Sequence, residues 1–166
     1  MKFTLVPEYI FDKFNDATPE FLVSIGVKGI LLDVDNTLEP YEHAEPGIHV
    51  IAWLKSLERA GIRTAIISNN NDKRIDLFNK NIGMPAIARA AKPFPKNLRR
   101  MMKEIGTTPE NTIFMGDQIL TDVWAAHNAG IRAILVTPIN DKKDIFTRFK
   151  RVLEKPFLRK YKKGKK

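Results

Sequence analysis

The sequence contains no cysteine among its 166 residues, which excludes disulfide bonds and thiolate metal sites. No apolar run approaches the roughly 20 residues that a membrane-spanning helix requires. Residues 1–8 have no long apolar core and soon become acidic, unlike a secretory signal peptide. We therefore expect an intracellular protein that is cytoplasmic, or peripheral on the inner face of the membrane.

Acidic residues are nearly absent from the end of the chain. Residues 145–166 hold ten of the 28 basic residues but one of the 19 acidic residues, so they carry the whole net charge of +9. Residues 1–144 hold 18 residues of each sign and are neutral. We expect a domain at 1–144 and a basic amphipathic helix or tail at 145–166, where apolar and aromatic residues alternate with cations. Such a tail favours a polyanionic partner, which is either an anionic membrane surface or a nucleic acid.

The rest of the chain alternates between apolar β-type runs and amphipathic helical patterns. Thr18 and Pro19 mark the start of a first helix, as cap and first helical residue. The pattern then predicts strands at 28–34, 62–67, 84–88, 112–115 and 131–136, and further helices at 46–60, 72–81, 95–105 and 120–128. This order predicts an α/β fold of the Rossmann-like, three-layer αβα type, with a mostly parallel sheet and helices on both faces.

The first predicted strand ends in an acidic pair, Asp33 and Asp35, within the segment Asp-Val-Asp-Asn-Thr-Leu. Ligands bind at the carboxyl ends of the strands in such sheets. Two carboxylates this close repel each other unless a cation offsets the repulsion, which favours Mg²⁺ and a carboxylate nucleophile. A turn after a strand is the simpler interpretation of the pair taken alone, because Asp and Asn are common in turns.

Other polar residues follow the remaining predicted strands and decide between these interpretations. Ser68 and Asn69 follow the second strand, Lys92 comes soon after the third, and Asp117 follows the fourth. Because carboxyl ends of parallel strands share one edge of a sheet, we expect these side chains to converge. A hydroxyl and a lysine there are suited to binding a phosphoryl group, and Asp117 is suited to completing the oxygen ligands of Mg²⁺.

These four ordered segments resemble the motifs of the haloacid dehalogenase-like (HAD) phosphatases over residues 28–136. The resemblance implies that Asp33 attacks the phosphoryl group and that Asp35 protonates the leaving alcohol and then activates water. It also implies that Mg²⁺ is held by Asp33, by the backbone carbonyl of Asp35 and by Asp117. Asp122 would contact these ligands without binding the ion itself. Phosphate binding is then assigned to Thr37, Ser68, Asn69 and Lys92, with Thr37 also supporting the loop.

The short intervals between the motifs leave no room for an inserted cap domain. In this form the chain resembles the YqeG family of subclass IIIA, whose related mitochondrial proteins dephosphorylate phosphatidylglycerophosphate. The resemblance therefore implies a capless phosphatase of a lipid phosphomonoester at a membrane surface. Two alternatives stay open: a phosphatase of a soluble, protein or nucleic-acid phosphomonoester, and a non-catalytic protein that binds ribosomes or RNA through its basic tail.

Overall fold

A computed structural model describes residues 5–140, 155–159 and 161 of the chain. Within these ranges, six parallel strands form one sheet in the order β1-β6-β5-β2-β3-β4. The strands are β1 Tyr9–Phe11, β2 Gly29–Leu32, β3 Arg63–Ile67, β4 Ala86–Ile87, β5 Thr112–Gly116 and β6 Arg132–Val136. The helices are α1 Pro19–Ser24, α2 Ile48–Arg59, α3 Asp72–Asn79, α4 Lys96–Glu104 and α5 Trp124–Ala129. The predicted α/β fold, with a parallel sheet, is confirmed.

Two apolar layers cover the two faces of the sheet. Side chains of β2 alternate between them, with Ile30 and Leu32 in one layer and Leu31 in the other. The first layer includes buried residues of α1, α2 and α3, and the second includes those of α4 and α5. Strands covered on both faces are expected to be apolar throughout, as the buried β2 and β5 are.

Local signals at the helix ends agree with the structure. The Thr18 hydroxyl accepts a hydrogen bond from the Phe21 N–H at 3.2 Å, with Pro19 as the first residue of α1. At the other end of the domain, α5 stops at Gly130, whose φ of 84° is a left-handed conformation that glycine adopts without strain. The predicted cap of α1 is thus confirmed, and Gly130 ends α5 in the way common for glycine.

Three features differ from the sequence expectations. The edge strand β1 was not predicted, because three residues are too few to show an alternating pattern; it pairs with β6, with Tyr9 opposite Ile134. The predicted helix at 120–128 is a π-helical turn at Ile119–Val123 followed by α5. The predicted helix at 46–60 begins two residues later, at Ile48, which is 77% exposed; the buried face of the helix begins at Val50.

The basic segment is only partly described. The helical pattern at 145–153 lies outside the described residues, whereas residues 155–159 are helical. There, half-buried Phe157 and Leu158 pack against the apolar layer formed by α4 and α5. Within the described ranges, every helix is too short or too polar to cross a bilayer.

Candidate active site

The loops that follow β2, β3, β4 and β5 converge at the carboxyl edge of the sheet. They bury Asp33, Ser68, Lys92 and Asp117, each less than a tenth exposed. A cavity of about 340 Å³, here called the site pocket, opens at this edge. Its lining residues are Asp33, Asp35, Asn36, Tyr41, Ser68, Asn69, Asn70, Lys92, Gln118, Thr121 and Asp122. The predicted convergence is therefore observed.

Lys92 lies between two carboxylates at the base of the site pocket. Its Nζ atom is 2.7 Å from Asp33 Oδ1 and 2.7 Å from Asp122 Oδ1, and it lies 5.2 Å from the ring centroid of Phe114. Burial opposes the charged form of Lys92, but Asp122 and Asp33 outweigh burial and raise the pKa of the lysine. Lys92 is thus a fixed cation beside the proposed nucleophile.

Asp33 is in an electrostatically unfavourable place for a carboxylate. Burial is the largest effect and raises the pKa of Asp33 to about 7; Lys92 opposes this shift, whereas Asp122 and Asp35 add to it. Burial therefore outweighs the contact with Lys92 and disfavours the charged form of Asp33.

Asp35 is turned toward a different set of partners from those of Asp33. Its Oδ1 atom lies 3.0 Å from both Nε and Nη2 of Arg74, and its Oδ2 atom accepts a hydrogen bond from Asn70 Nδ2 at 2.7 Å. Arg74 also donates through Nη1 to the Ala44 carbonyl at 3.0 Å. The two acids of the motif therefore occupy separate electrostatic environments although both line the site pocket.

Arg74 was not among the residues predicted from the sequence. It lies in the first turn of α3, where the Asn71 side chain caps the helix by accepting from the Arg74 N–H at 2.9 Å. A helix that follows a strand starts at the carboxyl edge, so a long cation in its first turn reaches the site. The position of Arg74 in the first turn of the helix after β3 is the sequence signal that could have identified it.

The segment after β3 holds both Ser68 and Lys92 in place. Asn69 pairs with the Lys92 backbone in both directions, donating to its carbonyl at 3.1 Å and accepting from its N–H at 2.8 Å. Ser68 is buried and lines the site pocket, and its Oγ atom accepts a hydrogen bond from the Asn70 N–H at 3.1 Å. Asn69, predicted to bind phosphate, lines the pocket but uses its side chain to position Lys92.

Thr37 was predicted both to bind phosphate and to support the loop. Its buried hydroxyl donates to Asp117 Oδ1 at 3.2 Å and lies 3.5 Å from Asp33 Oδ2. Because Thr37 lines a separate cavity with Phe14 and Ile139, its placement fits the support of the two carboxylates better than direct phosphate contact.

The turn after β5 brings Asp122 back to the site. Asp122 Oδ2 accepts from the Gln118 N–H at 3.0 Å while its Oδ1 contacts Lys92. A Cβ atom on Gly116 would collide with the carboxyl group of Asp122, so the close return of this carboxylate requires glycine there. Both carboxylate oxygens of Asp122 thus have protein partners. This is consistent with the prediction that Asp122 supports the metal ligands without binding the ion itself.

The donor set fits a hard divalent cation. Carboxylate oxygens of Asp33, Asp117 and Asp122 lie within 4.8 Å of one another, and all three residues are buried. Lys92 contacts Asp33 and Asp122 among these three residues, while Asp35 pairs with Arg74. All-oxygen ligands and excess negative charge favour Mg²⁺ or a similar ion over a soft metal.

A parallel sheet that gathers a lysine and several aspartates at its carboxyl edge is typical of enzymes that handle phosphoryl groups. The sequence profile of the haloacid dehalogenase-like hydrolases matches residues 10–136. The chain belongs to this family.

Relatives by sequence agree with this assignment. A protein of Bacillus subtilis (strain 168) named "Probable phosphatase YqeG" is 36% identical over 157 residues, which is 95% of this chain and 91% of the relative. A glyceraldehyde 3-phosphate phosphatase of Pyrococcus furiosus is 26% identical over 60% of this chain and 44% of its own length. The chain is therefore a phosphatase, and the non-catalytic alternative is not supported.

The fold is shared with more distant proteins of known structure. The 3-deoxy-D-manno-octulosonate 8-phosphate phosphatase of Moraxella catarrhalis, solved with magnesium, phosphate and the sugar acid, superposes with a TM-score of 0.55 at 18% identity. It covers 86% of this chain and 92% of that one. The cobalt-bound enzyme of Haemophilus influenzae gives the same TM-score at 16% identity, over 82% of this chain and 90% of that one. These likenesses concern the fold alone.

Proposed function

We propose that the protein is a Mg²⁺-dependent phosphatase that acts through an aspartyl-phosphate on a lipid phosphomonoester, phosphatidylglycerophosphate, at a membrane surface. The observation that carries the chemistry is the buried Asp33 beside the fixed Lys92 cation, with Asp35 in a different environment on the same pocket. Two acids held in distinct environments are suited to two distinct roles in catalysis.

In the first step, a carboxylate oxygen of Asp33 attacks phosphorus while the bond to the leaving oxygen breaks. Asp35 gives its proton to that oxygen, so the alcohol leaves neutral. In the second step, Asp35 takes a proton from water as the water oxygen attacks phosphorus, which releases inorganic phosphate and restores the Asp33 carboxylate. Lys92 and Ser68 bind the phosphoryl oxygens, and Arg74 and Asn70 orient Asp35.

Asp33, Asp117 and the backbone carbonyl of Asp35 would hold Mg²⁺. When bound, the ion offsets negative charge on the phosphoryl group and on the buried carboxylates. Asp122 keeps Lys92 in place beside these ligands.

Adding Mg²⁺ is expected to raise the melting temperature of the wild-type protein, because a ligand that binds the folded state stabilises it. The variant Asp117→Asn is expected to lose most of this shift. The control variant Asp76→Asn, which changes an exposed aspartate on α3, is expected to keep it. Differential scanning fluorimetry measures the shift without substrate. An unchanged Mg²⁺ shift in Asp117→Asn would contradict the ligand assignment.

Three observations support a large or surface-bound substrate. The stretch between Asp33 and Lys92 is taken up by α2, β3, α3 and β4, which leaves the site pocket without an inserted cap. The pocket opens at the edge of the sheet. The net charge of +9 lies in residues 145–166, where each cation near an anionic membrane contributes about 1 kcal/mol of attraction.

Hydrolysis of phosphatidylglycerophosphate in anionic vesicles tests the substrate and the tail together. Replacing Lys162, Lys163, Lys165 and Lys166 by glutamine is expected to weaken vesicle binding and lipid turnover at least about tenfold at low salt. The matched control replaces four exposed lysines of the domain by glutamine, namely Lys55, Lys73, Lys80 and Lys103. Substitution is preferable to deletion because Phe157 and Leu158 pack on the domain.

Equal loss in the two variants would contradict a specific role of the tail. Absence of lipid turnover with intact turnover of a soluble ester would instead favour a second candidate, a phosphatase of small soluble phosphomonoesters. That candidate is favoured by the match to glyceraldehyde 3-phosphate phosphatase over 60% of the chain.

A further inference from the structure

Exposed apolar side chains are concentrated at the carboxyl edge of the sheet, where the site pocket opens. Six large apolar side chains are exposed among the described residues, and four of them lie at the carboxyl edge of the sheet. We name these four the apolar rim; their exposed fractions are 58% for Tyr41, 77% for Ile48, 69% for Phe94 and 48% for Ile139. The other two, Val23 and Leu77, lie on α1 and α3.

The rim residues come from three separate connections at the carboxyl edge of the sheet. Tyr41 lines the site pocket itself. Phe94 lies two residues after Lys92, in a turn closed by its N–H donating to the Ala91 carbonyl at 2.9 Å. Ile139 follows β6, and its N–H donates at 3.0 Å to the carbonyl of Asn36, which also lines the pocket. Ile48 is the first residue of α2, which starts at this edge.

We propose that the apolar rim inserts into the interfacial region of an anionic lipid bilayer and sets the mouth of the site pocket at the level of the headgroups. This inference deepens the proposed function and rests on it for the substrate, although the surface itself can be tested without turnover. Apolar side chains that surround a polar pocket can enter the acyl boundary while the pocket faces the headgroups. Tyr41 carries an apolar ring and a polar hydroxyl, a combination common at membrane interfaces.

Charge and chain direction favour a lipid surface as the occupant of this face. The edge carries exposed residues of both signs, with Glu42 and Glu45 near Tyr41 and Lys96 near Phe94, so its fixed charges give little attraction. Ile139 lies at this edge, and along the sequence the segment with the whole net charge begins six residues later, at residue 145. The basic segment that would attract an anionic surface is therefore close to the rim in the sequence. The rim would add apolar contact, which salt does not screen.

The test compares two double variants of the full-length protein with the wild type. The rim variant is Phe94→Ser with Ile139→Ser, which leaves out Tyr41 because Tyr41 lines the pocket. The control variant is Val23→Ser with Leu77→Ser, which removes two exposed apolar side chains away from this edge. Binding is measured by co-sedimentation with vesicles of phosphatidylglycerol and phosphatidylcholine, at low and at high salt.

The rim variant is expected to bind vesicles at least about tenfold more weakly than the wild type at both salt concentrations. The control variant is expected to bind as the wild type does, and all three proteins are expected to hydrolyse soluble p-nitrophenyl phosphate at the same rate. Equal binding by the rim variant and the wild type would overturn the proposal, as would an equal loss in the control variant. A change of oligomeric state in the rim variant without a change in vesicle binding would also overturn it, in favour of a second copy of the chain.

The same experiment separates the surface from the proposed substrate. If the wild type binds vesicles through the rim but leaves phosphatidylglycerophosphate intact, the surface stands and the substrate fails. If the wild type hydrolyses the lipid and the rim variant does so equally well, the substrate stands and the surface fails.

Discussion

The variant Asp33→Asn is expected to lose phosphatase turnover by at least about 10⁴-fold, the scale on which loss of a covalent nucleophile acts. The amide oxygen that this substitution introduces has neither the charge nor the nucleophilicity to attack phosphorus. The fold is expected to persist, because Lys92 keeps its contact with Asp122 at 2.7 Å. The raised pKa of Asp33 also shows that its negative charge is disfavoured in the folded protein, so a neutral isostere does not remove a stabilising charge.

Turnover of a soluble ester and the melting temperature without added metal measure the two parts of this expectation. Asp35→Asn provides the graded comparison, since removal of a general acid/base costs about 10²- to 10⁴-fold. Acid quenching after incubation with radiolabelled substrate is expected to trap phosphate on the wild type and none on Asp33→Asn. Full activity in Asp33→Asn, or an equally labelled variant, would show that Asp33 is not the nucleophile.

Much of the site followed from the sequence because the fold brings its residues together by a simple rule. Asp33, Ser68, Lys92 and Asp117 each follow a strand in the chain, and parallel strands end at one edge. Long apolar strands such as β5 and capped helices such as α1 give local signals strong enough to locate that edge. The order of the strands was not needed to place these residues at one edge of the sheet.

The side-chain partners within the site could not be predicted from the sequence, because they depend on the direction in which each side chain points. A regular strand would point Asp33 and Asp35 to one face, but the chain leaves β2 at Leu32, and Asn36 has a φ of 60°. Asp35 can therefore turn to Arg74, a partner 39 residues away in the chain. The positioning roles of Asn69 and Thr37 likewise depend on distances of about 3 Å that spacing along the chain does not specify.

The acidic residues of the site pair with two different cations, Arg74 and Lys92. Asp35 has Arg74 as its own cation on the more exposed side, whereas the buried Asp33 and Asp122 share Lys92, and Asp117 lies within 4.8 Å of both. A divalent cation bound by Asp33 and Asp117 would offset the charge of these carboxylates and that of an anionic substrate.

The variant Lys92→Met is expected to lower the free energy of unfolding by about 3–5 kcal/mol and to reduce turnover at least about 10²-fold. The lysine is buried, and its removal leaves Asp33 and Asp122 facing each other without their shared cation. Chemical denaturation without metal measures the loss of stability. The control variant Lys103→Met, at an exposed position of α4, is expected to change stability by less than about 0.5 kcal/mol.

The double variant Lys92→Met with Asp122→Asn separates structure from catalysis. Removing both members of a buried pair costs less than removing one, so the double variant is expected to regain most of the lost stability. It is not expected to regain turnover, because the cation that binds the phosphoryl group is still missing. Recovery of both properties would show that Lys92 only neutralises Asp122, and recovery of neither would show that Asp122 has a role at the site apart from holding Lys92.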